Sequence, residues 1–351
     1  MRRLAFLFAG LFLAEPALAQ DWATRQVCTV VTPEIHADLF DPYGLDRLED
    51  DAAKIPNGTG RLWRITTPEG AVSHLWGTFH SADAHILRAA EAARDLIETA
   101  RIVAVEIDFS LDSRAAYREA QYVPGRYNEA TDPFAFDDNQ RGTIANLPAE
   151  ISGWILDRAI ELGWTEDADL ILSPAGMAEM LLSDPCEDFT GGTRPIQDDY
   201  IQLIAHLAGA ETLGLEAPTA FFDDLKNRPE TARAITAVYG AYLQPMTDSR
   251  PRSTGFAMYQ SGQIGLMSAW DRVYLREVLG PEGDRLLDLT NDYLLTFRNE
   301  RFLKAIRAEL EAGGVFLAVG VGHLPGTGGL VEMLRTEGYT VTRLPLPGEV
   351  P

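Results

Sequence analysis

Short, nearly continuous apolar runs separated by longer segments of helical periodicity most strongly constrain the fold of this chain. Ile102–Ile107, Thr212–Glu216 and Val315–Val319 are such runs. Continuous apolar character over so few residues is typical of strands buried on both faces of a parallel sheet. Because these strands alternate with predicted helices, the pattern predicts an α/β fold with a mixed or parallel central sheet.

Three further strands extend this sheet in the prediction. Leu62–Ile65 and Val72–Trp76 flank the turn Thr67–Gly70 and predict a hairpin, and Tyr339–Thr342 predicts a closing strand. Helical periodicity predicts helices at 84–100, 175–184, 198–207, 220–247, 261–279, 284–312 and 328–337. A helix–strand–glutamate unit occurs twice, so we expect two pseudo-related halves with helical insertions.

The amino terminus has the layout of a cleavable secretory signal. The basic start Met1–Arg3 precedes the apolar run Leu4–Leu13, and Pro16–Ala19 supplies an A-x-A site, which predicts cleavage after Ala19. The run is shorter than the about 20 apolar residues of a membrane anchor. We therefore expect a periplasmic or secreted protein without stable membrane insertion, divided into a signal peptide (1–19), an N-terminal arm (20–60) and one α/β domain (61–346).

The charge balance of the chain excludes one class of partner. With 52 acidic and 30 basic residues the formal net charge is −22, which disfavours nucleic-acid binding. The sequence also contains no HExxH, GxSxG or GxxxxGK[ST] motif, so the common zinc-protease, serine-hydrolase and P-loop signatures are absent.

The chain has two cysteines, Cys28 and Cys186. An oxidising compartment favours a disulfide between them, which would attach the N-terminal arm to the middle of the chain. Two buried free thiols are the alternative.

Two histidines and two glutamates share a position at the ends of predicted strands. His80 and His323 each close a Gly-x-x-His motif after an apolar run, and Glu106 and Glu216 each end one. The carboxyl ends of parallel strands are where ligand crevices form in α/β sheets. Two imidazoles and two carboxylates are a suitable ligand set for a divalent metal. The alternative is that each glutamate pairs with an arginine such as Arg298 or Arg301 for purely structural reasons.

These motifs resemble the TraB/GumN family over about residues 60–345. The residues that carry the resemblance are Leu75–His80, Glu106, Leu215-Glu216, Arg298-Asn299, Val319–Gly326 and Gly338-Tyr339. The family is similar to the Tiki metalloproteases and, more distantly, to erythromycin esterases and a haem-binding iron-uptake lipoprotein. The resemblance implies an α/β fold with two related halves, paired Gly-x-x-His motifs at the active centre and, for Tiki-like members, metal-dependent hydrolysis.

The residues and the resemblance together predict a metal-dependent hydrolase for a peptide or ester bond. A divalent ion (Mn, Co or Zn) would be held by His80, His323 and one or both of Glu106 and Glu216. A glutamate that does not bind the ion would be the general base, and Arg298 would stabilise the developing oxyanion. The substrate would be an unidentified peptide or small molecule.

Two other functions are open at this point. A non-catalytic periplasmic protein could bind haem or another ligand through one of the same histidines. An accessory role in polysaccharide biosynthesis is suggested only by the resemblance.

Overall fold

One mixed sheet of six strands organises the described part of the chain. The strands are β1 (Leu62–Thr66), β2 (Val72–Thr78), β3 (Ile102–Val105), β4 (Glu211–Gly214), β5 (Val315–Gly320) and β6 (Thr340–Arg343). They lie in the order β4-β3-β5-β2-β1-β6. The first four in this order run parallel, whereas β1 is antiparallel to both β2 and β6. The predicted mixed α/β sheet is confirmed, and each predicted strand is present.

The computed structural model describes residues 32–108, 125–128, 143–184, 186, 196–246 and 248–351. Residues 1–19 and Cys28 lie outside these ranges, so the signal peptide, its cleavage site and the Cys28–Cys186 disulfide stay predictions. Within these ranges, no helix combines the length and the apolar character that crossing a bilayer requires.

The helices pack on both sides of the sheet and beyond its carboxyl edge. The α-helices are α1 (Leu45–Ala52), α2 (Ala84–Ala89), α3 (Arg94–Glu98), α4 (Ala149–Glu161), α5 (Ala168–Ile171), α6 (Pro174–Leu181), α7 (Gln197–Ala208), α8 (Ala220–Leu225), α9 (Pro229–Ala241), α10 (Arg250–Gln260), α11 (Ile264–Leu279), α12 (Gly283–Asn291), α13 (Arg298–Ala312) and α14 (Leu330–Thr336). Short 3₁₀ turns occupy Ala37–Phe40, Ala90–Ala93, Gly280–Glu282 and Val321–His323.

Several predicted helices are interrupted. The segment 84–100 is broken by the 3₁₀ turn Ala90–Ala93, and Pro229 at the first turn of α9 separates it from α8. Proline has no N–H and is favoured where a helix starts, so it divides the long apolar pattern. The segment 284–312 contains a π-helical stretch, Asp292–Phe297, between α12 and α13.

The alternation of side chains along β5 shows how the sheet is buried on both faces. Leu317 and Val319 pack in one cluster with residues of α13 and α14. Phe316 and Ala318 pack in another with residues of α3 and α7. Helices therefore cover both faces, as the continuous apolar run predicted.

The described part of the N-terminal arm contains regular secondary structure. Its described part contains α1, and Phe40 and Leu48 pack against Met258 and Leu266 of the helical layer. The Phe40 and Trp270 rings meet edge to face with centroids 5.3 Å apart. The arm is thus attached to α10 and α11 by apolar contact.

Candidate metal centre at the carboxyl edge of the sheet

The predicted histidines and glutamates meet at the carboxyl edge of the parallel strands. His80 follows β2, Glu106 follows β3, Glu216 follows β4, and His323 ends the 3₁₀ turn after β5. Glu106 Oε1 lies 3.8 Å from His80 Nε2 and 3.4 Å from His323 Nε2. The parallel register explains this convergence, because neighbouring parallel strands end at the same edge.

Glu106 is buried and lies at the centre of this group. Its Oε1 accepts a hydrogen bond from the Gly320 N–H at 2.7 Å, and its Oε2 accepts one from Arg298 Nη2 at 2.7 Å. Burial raises the pKa of Glu106, but attraction to Arg298 and the neighbouring histidines outweighs burial and holds that pKa well below its usual range. Glu106 is therefore a carboxylate at neutral pH.

Arg298 joins the two glutamates. Its Nε donates to Glu216 Oε1 at 2.9 Å, and its Nη2 donates to both Glu216 Oε1 and Glu106 Oε2. Burial lowers the pKa of Arg298, but attraction to the two carboxylates outweighs it and keeps that pKa above its usual range. Both glutamates thus pair with the same arginine, Arg298, as the structural alternative expected. Arg301 pairs with Asp224 instead. Nη1 of Arg298 forms no hydrogen bond within the described ranges and remains available.

The position of Arg298 depends on a feature that the sequence pattern did not predict. The π-helical stretch Asp292–Phe297 ends immediately before it. Widened turns of this kind change the direction of the side chains that follow, and they occur often at functional sites. The guanidinium also lies over the Phe302 ring, 5.0 Å from its centroid.

Asp198 is a further site residue, outside the two histidines and two glutamates that the sequence predicted. It lies in the first turn of α7, and its Oδ1 accepts a hydrogen bond from Thr78 Oγ1 at 2.8 Å. Its Oδ2 is buried without a hydrogen-bond partner among the described residues and lies 3.6 Å from His80 Nε2. Aspartate is common in the first turn of any helix, so its type and place gave a weak signal.

His80, Glu106 and Asp198 each direct one possible ligand atom at a common space. These atoms all lie within 4.8 Å of one another, and we call this set the donor group. Burial lowers the pKa of His80, but Asp198 and Glu106 outweigh it and raise the pKa to about 9. The two carboxylates thus favour a positive charge at this point, as a proton on His80 or as a metal ion.

His323 has a defined tautomer. Asn299 Nδ2 donates to the carbonyl oxygens of His323 and Gly328 at 3.2 and 2.8 Å, which leaves Asn299 Oδ1 to accept from His323 Nδ1 at 2.7 Å. Burial lowers the pKa of His323 to about 3, so the ring is neutral. A neutral ring that donates from Nδ1 carries a lone pair on Nε2.

This tautomer creates an unusual contact. The Nε2 lone pair of His323 and Glu106 Oε1 are both acceptors, yet they lie 3.4 Å apart. A cation between two such atoms removes their repulsion, and a histidine whose other ring N–H donates a hydrogen bond to a fixed acceptor is the usual arrangement of a metal ligand. The residues present therefore fit a divalent ion.

The glycines of the Gly-x-x-His motifs lie where a β-carbon would be too close to neighbouring atoms. A β-carbon on Gly320 would lie 3.3 Å from both Glu106 Oε1 and His80 Nε2, and one on Gly77 would lie 2.6 Å from Val321 Cγ2. Neither glycine has a positive φ angle. Glycine thus lets the backbone at residue 320 approach the charged side chains closely, and the backbone at residue 77 approach Val321.

Gln197 stabilises the loop that carries His80. Its buried amide oxygen accepts hydrogen bonds from the Phe79 N–H at 3.2 Å and from Trp76 Nε1 at 3.3 Å. Its amide nitrogen donates to the Ile86 carbonyl. Because Gln197 precedes Asp198, α7 positions both the loop of His80 and the carboxylate opposite it.

Comparison with known proteins gives a family. The model of the TraB/PrgY/gumN family matches residues 61–343, which include the donor group, Glu216, Arg298 and His323. No curated protein and no solved structure matches the chain. The chain therefore belongs to the TraB/PrgY/gumN family.

Proposed function

We propose that the chain is a metal-dependent hydrolase of a peptide or ester bond. The observation that carries the proposal is the pair of acceptors His323 Nε2 and Glu106 Oε1, 3.4 Å apart. The buried Asp198 Oδ2 has no hydrogen bond among the described residues, and Asp198 belongs with Glu106 to the donor group. A divalent ion such as Mn, Co or Zn compensates acceptors that face one another or that have no donor.

The proposed ligands are His80, Glu106 and Asp198, with His323 Nε2 directed at Glu106 from the side of β5. This set differs from the sequence prediction in two respects. Asp198 takes the place of Glu216, which Arg298 binds instead, and His323 lies outside the donor group. When bound, a divalent ion lowers the pKa of a water molecule and polarises a carbonyl group.

Arg298 and Glu216 have separate proposed roles. Nη1 of Arg298, which forms no hydrogen bond within the described ranges, would donate to the oxygen on which negative charge develops. Glu216 Oε1 holds the guanidinium in place, and its Oε2 forms no hydrogen bond among the described residues. We assign Glu216 Oε2 as the proton acceptor of the reaction.

We also propose that this reaction takes place in the periplasm or outside the cell. The support is the basic, apolar and small-residue pattern of residues 1–19.

Elemental analysis of the purified protein tests the metal centre. We expect about one divalent ion per chain in the wild type and its loss in His80→Ala and Asp198→Asn. His85→Ala is the matched control, because His85 lies five residues along the chain and outside the donor group. Hydrolysis of peptide and ester libraries should disappear in the same two variants and persist in the control.

Two results would overturn the proposal. One is a metal content and hydrolysis that are the same in wild type, His80→Ala and Asp198→Asn. The other is a Soret band on haem addition that His80→Ala removes, together with no hydrolysis in any variant, which would identify a ligand-binding protein instead.

A further inference from the structure

We propose a second ligand site, for an organic ammonium cation, in a cavity of about 440 Å³ between the N-terminal arm and the helical layer. The cavity is lined by aromatic, acidic and apolar side chains, namely Tyr43, Pro148, Glu150, Ile151, Trp154, Gln244, Tyr274, Glu277 and Val278. None of them belongs to the metal centre. The volume lies in the range of small-molecule sites, about 300–1,000 Å³.

Three aromatic rings from three segments form the walls. Tyr43 precedes α1, Trp154 lies on α4 and Tyr274 lies on α11. The Tyr274 ring is fixed, because one face stacks on Tyr242 at 6.1 Å and its hydroxyl donates to the Ala241 carbonyl at 2.8 Å. The half-buried Trp154 packs against the apolar cluster around Ile151 and Ile155 and has no ring partner among the described residues, so the part of its indole that lines the cavity can contact a ligand. Tryptophan and tyrosine faces attract cations through their quadrupoles.

Two carboxylates give the cavity its charge. Glu277 Oε2 accepts a hydrogen bond from Tyr43 Oη, and Glu150 lies in the first turn of α4. Burial, with the bond to Glu277, raises the pKa of Tyr43 to about 12, so Tyr43 stays a neutral donor. No lysine or arginine lines this cavity. Aromatic faces beside carboxylates without a built-in cation are the usual chemistry for an ammonium ligand.

An adjoining cavity contains an arginine that can compete with the ligand for Glu277. It has a volume of about 430 Å³, shares Tyr43 and Glu277 with the first cavity, and is also lined by Arg47 and Arg276. Arg276 is bound to Asp284 at 2.9 Å. Arg47 forms no hydrogen bond or ion pair within the described ranges, so its exposed guanidinium is free to compete for Glu277. We therefore expect Arg47→Gln to strengthen ammonium binding.

Calorimetric titration of the full-length protein with choline chloride tests the site. The comparison ligand is 3,3-dimethyl-1-butanol, which has the same shape without the charge, at constant ionic strength. We expect saturable choline binding at least about tenfold tighter than that of the alcohol. Trp154→Leu and Glu277→Gln should each weaken choline binding by about fivefold or more.

Trp164→Leu is the matched control, since Trp164 is also half-buried but packs near Tyr127, 6.3 Å away, outside the cavity. Equal binding of choline and the alcohol, or equal losses in Trp154→Leu and Trp164→Leu, would overturn the proposal. If Trp154→Leu fails to fold, Glu277→Gln still tests the site, because Glu277 is exposed and its substitution should not disturb folding. His80→Ala should bind choline as the wild type does, which separates this site from the metal centre.

Discussion

Replacing Arg298 by methionine removes the positive charge that two buried carboxylates share. The side-chain exposures of Arg298, Glu106 and Glu216 are 12%, 10% and 6%. The two glutamates are neighbours, because the Glu216 N–H donates to the Glu106 carbonyl at 3.1 Å. Arg298→Met therefore leaves two adjacent carboxylates with little access to water, while an apolar side chain of similar length still lies beside Phe302.

The expected loss is large for a single substitution. Removing one partner of a buried ion pair costs about 3–5 kcal/mol in the free energy of unfolding. In Arg298→Met, Glu106 still accepts the hydrogen bond from the Gly320 N–H and still lies near His80. We therefore expect a loss at the lower end of this range, about 3 kcal/mol. The matched control is Arg301→Met, which breaks a pair whose side chains are 32% and 22% exposed. Pairs near the surface contribute about 0–1 kcal/mol.

The pH dependence follows from the direction of the Glu106 shift. Arg298 holds the pKa of Glu106 below its unfolded value, so this stabilisation is present above about pH 4.3 and is lost as the pH falls through the folded pKa. Without Arg298 the folded pKa rises, and protonation then relieves the repulsion. The difference between wild type and Arg298→Met should thus be largest at neutral pH and shrink towards acid pH.

Urea unfolding of the wild type and both variants near pH 7 and pH 5, with chelator present, measures this difference. The reasoning is refuted if Arg298→Met loses no more stability than Arg301→Met at neutral pH. It is also refuted if the loss stays constant as the pH falls.

Two further substitutions test the space in the metal centre and a buried acid elsewhere. Gly320→Ala should weaken metal binding, because the new β-carbon would lie 3.3 Å from Glu106 Oε1. Gly322→Ala is the control, since the atom nearest to its new β-carbon lies 3.5 Å away on Leu295. Equal affinities of the two variants in a metal titration would contradict this prediction. Burial raises the pKa of Asp271 to about 6, although Tyr242 donates a hydrogen bond to this carboxyl group. The stability that Asp271 contributes is therefore fully present below about pH 3.9 and is lost as the pH rises to about 6. Asp271→Asn should therefore gain stability over the wild type at pH 8 more than at pH 5 in thermal unfolding, and a constant difference would argue against it.

The local sequence pattern was sufficient to predict the strands of the sheet and part of the candidate site. Apolar runs such as Val315–Val319 predict strands because burial on both faces requires continuous apolar character. His80, Glu106, Glu216 and His323 could then be placed together, since the ends of adjacent parallel strands share one edge. The family resemblance drawn from these residues is confirmed by the match over 61–343.

Tertiary structure alone decided which of these groups bind each other. Asp198 reaches His80 from a helix 118 residues later in the chain, and this depends on how α7 packs on the sheet. The π-helical turn before Arg298 directs one guanidinium between both glutamates, and Asn299 selects the tautomer of His323. Residue type and spacing specify local conformation, but these contacts depend on helix packing and side-chain direction, which local propensity does not encode.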